Sequence, residues 1–115
     1  AVYHVVLEAQ QVAIDAISPG VPIGEIDTIA RAYITDAGYG QYFPHRVGHG
    51  VGLNEHEPPY LIGDNKSLLQ QGMCFSVEPG IYLPGRFGVR IEDTLLVTAT
   101  GSERLSDCMR DIIVC

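Results

Sequence analysis

Along residues 2–17 the apolar positions Val2, Val5, Val6, Ala9, Ala13, Ala16 and Ile17 recur every three or four residues, which gathers them on one stripe of an α-helix. The stripe stops at Ser18-Pro19-Gly20, where proline and glycine interrupt helical continuation. After Pro22 a second stripe, Ile26, Ile29, Ala30, Tyr33, Ile34 and Ala37, predicts another amphipathic helix. Glu25 and Asp27 in its first turn and Gly38 just past its end agree with the helix dipole and with a left-handed C-terminal cap. Beyond Gly40 the pattern changes. Residues 46–53, 73–83 and 87–98 are rich in Val, Ile, Phe and Tyr and are bounded by Gly and Pro, which predicts strands. Residues 58–72, with Pro58-Pro59, Gly63-Asp64-Asn65 and Gln70-Gln71-Gly72, read as a connecting loop, and 111–114 as a short last strand. Two helices followed by antiparallel strands predict an α+β fold, with the helices covering one face of a curved sheet.

Composition narrows the function. At 115 residues and 46% apolar content the chain fits one domain with an ample core. Its apolar runs are too short for a membrane span, and no basic-apolar-small signal pattern opens it, so a soluble protein with no membrane partner is expected. A formal charge of -7 repels phosphate backbones and argues against nucleic acid. The same acidic excess would be partly neutralised by bound divalent cations. Cys74, Cys108 and Cys115 are odd in number and widely spaced, which suggests neither a disulfide framework nor a thiolate metal site. A reducing, cytoplasmic location is the expectation.

The chemistry concentrates in two places. His45, His49 and His56 fall within a short stretch, and Gly48, Gly50 and Gly52 flank His49, allowing other groups to approach it closely. These glycines match neither the dinucleotide fingerprint nor the P-loop and lie on a strand-like segment, so nucleotide binding is set aside. Glu78 and Glu92 lie in apolar strands joined by Leu83-Pro84-Gly85-Arg86. If the hairpin folds about Gly85, Glu78 and Glu92 face each other, and two like charges on one sheet face need a shared proton, an arginine or a metal. A hairpin centred half a residue later would break that relation. Arg90, on the same strand face as Glu92, is the candidate arginine, and a structural ion-pair cluster remains open. A divalent metal uses all these residues at once. Carboxylates with one imidazole suit Mn, Co, Fe or Zn, and a pair of such ions can activate a shared water for amide hydrolysis.

The motifs His45-Arg46-Val47-Gly48-His49-Gly50-Val51-Gly52-Leu53, His56-Glu57-Pro58-Pro59, Ser76-Val77-Glu78-Pro79-Gly80-Ile81-Tyr82 and Val89-Arg90-Ile91-Glu92-Asp93-Thr94 together resemble the Xaa-Pro peptidases. The match is to the prolidase and aminopeptidase P branch of the pita-bread (creatinase/aminopeptidase) metallopeptidases, and it spans nearly the whole chain. The resemblance implies that His49, Glu78 and Glu92 are metal ligands, with Glu92 bridging two divalent ions, manganese first among them. It implies that His56 steadies the substrate carbonyl, that His45 is a second histidine near the substrate, and that Arg90 supports the ligands from behind. It further implies a proline-containing peptide as substrate, dipeptidase or aminopeptidase action, and a homodimer in the complete protein. The family takes two more aspartates from strands preceding its equivalent of helix 2–17. Asp15, Asp27 and Asp36 do not match them, so residues 1–115 are expected to be the carboxy-terminal part of a catalytic domain, inactive by themselves. The competing expectation is a peptidase-like binding module without catalysis; a purely structural α+β domain is the third.

Overall fold

Among the residues described by the computed structural model, 2–50, 57–63, 65–105 and 111–114, two helices cover one face of an antiparallel sheet that does not close. Helices α1 (Val2–Asp15) and α2 (Ile23–Asp36) are followed by a 3-10 turn at Gly40–Tyr42. The strands are β1 (Gly48–Gly50), β2 (Glu57–Leu61), β3 (Cys74–Val77), β4 (Gly80–Leu83), β5 (Phe87–Val97), β6 (Ser102–Arg104) and β7 (Asp111–Val114). None of the described helices is long and apolar enough to cross a membrane.

The helical stripes predicted from sequence form the core. Val6, Ala9 and Ala13 of α1 and Ile26, Ala30 and Ile34 of α2 are fully buried against Phe75, Val77, Ile81, Ile91 and Leu95 of the sheet. Helix α2 has no side-chain cap at its start; instead the N–H groups of Ile23 and Gly24 donate to the carbonyls of Ser67 (2.7 Å) and Asn65 (2.8 Å). A neighbouring segment thus satisfies donors that a helix leaves open at its first turn. At the other end Gly38 adopts φ 94°, the left-handed conformation that its position past the helix predicts.

The strand order is β2-β1-β3-β5-β4, and β6 and β7 pair with β5. Long β5 is the spine: β3 and β4 occupy one edge of it in succession, and β6 and β7 the other. The expected single strand over 73–83 is interrupted at Glu78-Pro79. Pro79 carries no amide hydrogen, and the Glu78 N–H donates to Val47 O at 2.6 Å, on the side of β3 that faces β1. The buried Gln10 of α1 sits beneath this break, its Nε2 donating to the carbonyls of Val77 (3.2 Å) and Ile91 (3.4 Å).

Two expectations are corrected. Residues 58–72 are not all loop, since β2 pairs antiparallel with β1. Pro58 and Pro59 are accommodated because the register shifts between His49 and Gly50, so that Tyr60 and Glu57 have ladder partners while the prolines fall in the irregularity. Strand β6 was not anticipated; it is three residues long and too short to show an alternating pattern. The short last strand at 111–114 is present as β7.

Candidate functional site

The hairpin folds about Gly85, with Leu83 opposite Phe87. Gly80 pairs with Arg90 on one side of the break and Val77 with Asp93 on the other, so the two ladders share one register and Glu78 stands opposite Glu92. Alternation along β5 sends Val89, Ile91, Leu95 and Val97 into the core under the helices. Arg90 and Glu92 therefore emerge on the opposite face, as do Ser76 and Glu78 of the neighbouring strand. Strand β1 brings His49 to the same face: Gly50 pairs with Phe75, and the His49 N–H donates to Ser76 Oγ at 3.2 Å.

On this face the side chains meet. His49 is buried, and its Nε2 lies 3.2 Å from Glu78 Oε2. Its Nδ1 is 2.9 Å from the Gly50 carbonyl oxygen, which can only accept, so Nδ1 carries a proton and Nε2 is the ring nitrogen beside Glu78. Glu78 Oε2 is itself buried without a hydrogen bond. Arg90 approaches the other oxygen of Glu78 at 3.8 Å, a loose ion pair. Burial pushes the Glu92 carboxyl above the usual glutamate range, the negative charge of Glu78 adds to the rise, and Arg90 opposes it.

This donor set suits a divalent ion. With metal bonds of about 2.0–2.2 Å to imidazole nitrogen or carboxylate oxygen, two donors on one ion lie roughly 3 Å apart. The His49 and Glu78 atoms stand at 3.2 Å, close to that spacing. Among the described residues, however, no three His, Cys, Asp or Glu side chains form a group that could hold an ion by itself.

His45 lies off this sheet face but lines the same cleft as His49 and Glu78. Its Nε2 is 3.2 Å from the Tyr82 hydroxyl, its Nδ1 is 2.7 Å from Arg46 O, and its ring stands edge-on to Phe43. A cleft of about 440 Å³ is lined by His45 and Arg46 on one side and by His49, Glu78 and Arg90 on the other. His56 lies outside the described residues.

Sequence reasoning passed over residues that organise this site. Asp27, read as a dipole partner, is buried, accepts from the Val47 N–H at 2.9 Å and pairs with Arg31 at 3.2 Å. A signal was available: Asp27 falls among Ile23, Ile26, Ala30 and Ile34 on the buried face, where an acidic side chain needs a partner. Gln10 occupies a similar place on the stripe of α1. Nothing local marks Ser76 or Tyr82.

The chain is similar to known peptidases. It is 55% identical over 105 residues to an uncharacterised peptidase of Staphylococcus aureus, covering 91% of this chain and 30% of that protein. To an Xaa-Pro dipeptidase of Lactobacillus helveticus it is 51% identical over 111 residues, covering 96% of this chain and 30% of the relative. The prolidase structure from Pyrococcus horikoshii superposes with a TM-score of 0.92 at 48% identity, covering 97% of this chain and 32% of that one. The X-Pro aminopeptidase structure from Thermotoga maritima superposes equally, TM-score 0.92 at 43% identity, over 96% of this chain and 31% of that one. The chain thus spans about 30% of the length of the curated relatives it matches, and its helices and open sheet correspond to part of the pita-bread fold. The sequence profile of metallopeptidase family M24 matches residues 1–99, and the chain belongs to that family.

Proposed function

We propose that the protein carrying this chain is a two-metal peptidase that hydrolyses Xaa-Pro bonds, and that residues 1–115 are the carboxy-terminal part of its catalytic domain. The observation that carries the reading is the approach of His49 Nε2 to Glu78 Oε2 with Glu92 directly opposite Glu78, on one open sheet face. Similarity to the Lactobacillus helveticus Xaa-Pro dipeptidase and to the prolidase structure supports the substrate class.

In this reading His49, Glu78 and Glu92 hold the ions, manganese first among Mn, Co, Zn and Fe. Bound divalent cations supply Lewis-acid polarisation and a water acidic enough to act near neutral pH. Arg90 steadies the Glu78 carboxylate from behind. His45, half-buried on the rim with its Nε2 at the Tyr82 hydroxyl, faces the peptide, and His56 supports the carbonyl under attack. The complete protein is a cytoplasmic homodimer. The 115 residues on their own supply too few carboxylates for two ions and turn over peptide poorly.

Calorimetric titration of Mn(II) into chelator-treated protein tests this reading, comparing the chain alone with the intact protein and with its His49→Ala variant. Tight binding of two ions and cleavage of a Gly-Pro dipeptide by the intact protein, both lost in the variant, are expected. Absence of metal binding in the intact protein sinks the reading and leaves a non-catalytic binding module in its place.

A further inference from the structure

The segment 43–47 carries His45 toward the site, yet little packing holds it. A cleft of about 690 Å³ opens over α2 on one side of it and the 440 Å³ site cleft on the other, and Pro44, His45, Arg46 and Ile62 border both. Pro44 and Arg46 are exposed, and only Phe43 and Val47, at the two ends, reach the core. A thin wall between two clefts needs a tether.

Arg31 of α2 provides one. Its NH1 donates to Phe43 O at 2.6 Å and its NH2 to His45 O at 2.7 Å, while the guanidinium lies 4.2 Å from the centre of the Phe43 ring. Asp27, one helical turn earlier, orients the guanidinium through Arg31 Nε (3.3 Å) and NH2 (3.2 Å). The same carboxylate accepts from the Val47 N–H at 2.9 Å. The peptide group that follows this amide holds the candidate ligand, since Val47 O accepts from the Glu78 N–H at 2.6 Å. A hydrogen-bonded path therefore runs from α2 through Val47 to the backbone of Glu78, with a branch through Arg31 to the backbone of His45.

We infer that Asp27 and Arg31 are positioning residues: from outside the site, they set where His45 faces the cleft and where the Glu78 backbone sits beside His49. The planar fork of arginine is required, because one group must meet two carbonyls and a carboxylate at once, which the single ammonium of lysine does not do. The inference rests on the proposed peptidase reading only for its catalytic consequence; the geometric part is independent of it.

The test uses the intact protein with Arg31→Lys, Asp27→Asn and, as a control, Ile34→Val, a conservative core change on the same helix that does not touch segment 43–47. Hydrogen exchange of the chelator-treated proteins is measured first. Amides in 43–47 and that of Glu78 should exchange about tenfold faster in Arg31→Lys and Asp27→Asn than in Ile34→Val at matched Tm. In the manganese-loaded protein kcat on a Gly-Pro dipeptide should fall about 10- to 100-fold while KM shifts little, the expected cost of misplacing groups at the reacting bond by about an ångström. If Arg31→Lys exchanges and turns over like Ile34→Val, the pair is only a helix-surface ion pair and the inference is overturned. If the parent cleaves no Xaa-Pro peptide, the proposed function fails by itself, and the exchange at 43–47 and Glu78 still decides the positioning role. Faster exchange there supports it, and unchanged exchange refutes it.

Discussion

Replacing Gly48 by alanine should disable the site through the backbone. A β carbon at Gly48 would lie 1.8 Å from Ser76 O, 2.8 Å from Ser76 C and 3.3 Å from Ser76 Oγ. Carbon-to-oxygen contacts between strands stay at about 3.3 Å or more, so β1 would have to withdraw from β3 by roughly 1.5 Å. The two nearest obstacles are main-chain atoms and cannot rotate aside. Withdrawal strains the Gly50–Phe75 pairing, the His49 N–H bond to Ser76 Oγ and the Glu78 N–H bond to Val47 O. Two or three hydrogen bonds at about 1 kcal/mol each, with some loosening of the packing around Val47 and Phe75, give a cost of about 2–4 kcal/mol. In the intact protein, which is larger than this chain, that lowers Tm by on the order of 4–16 °C, at roughly 2–4 °C per kcal/mol. The same shift carries His49 away from Glu78, so the rise in Tm on adding Mn(II) should also disappear. Calorimetric melts of the intact protein, with chelator and with Mn(II), read both effects. Gly101→Ala is the comparison, because its nearest neighbour to an added β carbon is Ile17 O at 3.8 Å, and it should change little. A Gly48→Ala protein melting within about 2 °C of the parent and still stabilised by Mn(II) would refute the reasoning.

Glu92→Gln tests the facing carboxylates in chelator-treated protein. Because burial and Glu78 raise the folded carboxyl's pKa, the native state binds more protons than the unfolded one, and stability falls as pH rises from about 4.3 through the raised folded value. The substitution should remove that slope and stabilise the metal-free protein at neutral pH by a few tenths to about 1 kcal/mol. Urea denaturation across this pH range checks it, and a loss of stability at neutral pH would count against the repulsion. Gly24→Ala should destabilise despite alanine's better helix propensity, by about 1–3 kcal/mol in urea melts. Its β carbon would meet the carbonyl oxygens of Ile62, Gly63 and Asn65 at 2.4, 2.7 and 2.8 Å. Gln10→Leu keeps the volume but leaves the carbonyls of Val77 and Ile91 without their shared donor. A loss of about 1–3 kcal/mol is expected, and a neutral result would mean that the sheet break closes without α1.

Much of this protein is written in local pattern. The stripes of α1 and α2 could be read because helical spacing repeats over many residues, so each apolar position reinforces the next. The opposition of Glu78 and Glu92 could be read because a short turn fixes the register of the strands it joins, and the period of two does the rest. Other features depended on contacts between residues distant in sequence. His49 reaches Glu78 only because β1 pairs with β3 across the intervening β2 and loop, and no local rule selects that partner. Pro58 and Pro59 read as loop until the irregular register of β1 and β2 made room for them. Asp27 looked like a helix-end charge, and only the arrival of Val47 against α2 turned it into a buried anchor for the site loop. The sequence by itself determined which residue types were available for metal chemistry and which faces they occupied, because propensity and period act over neighbouring residues. The tertiary structure decided which of them meet and what holds them there, because non-local pairing and burial depend on the whole chain at once.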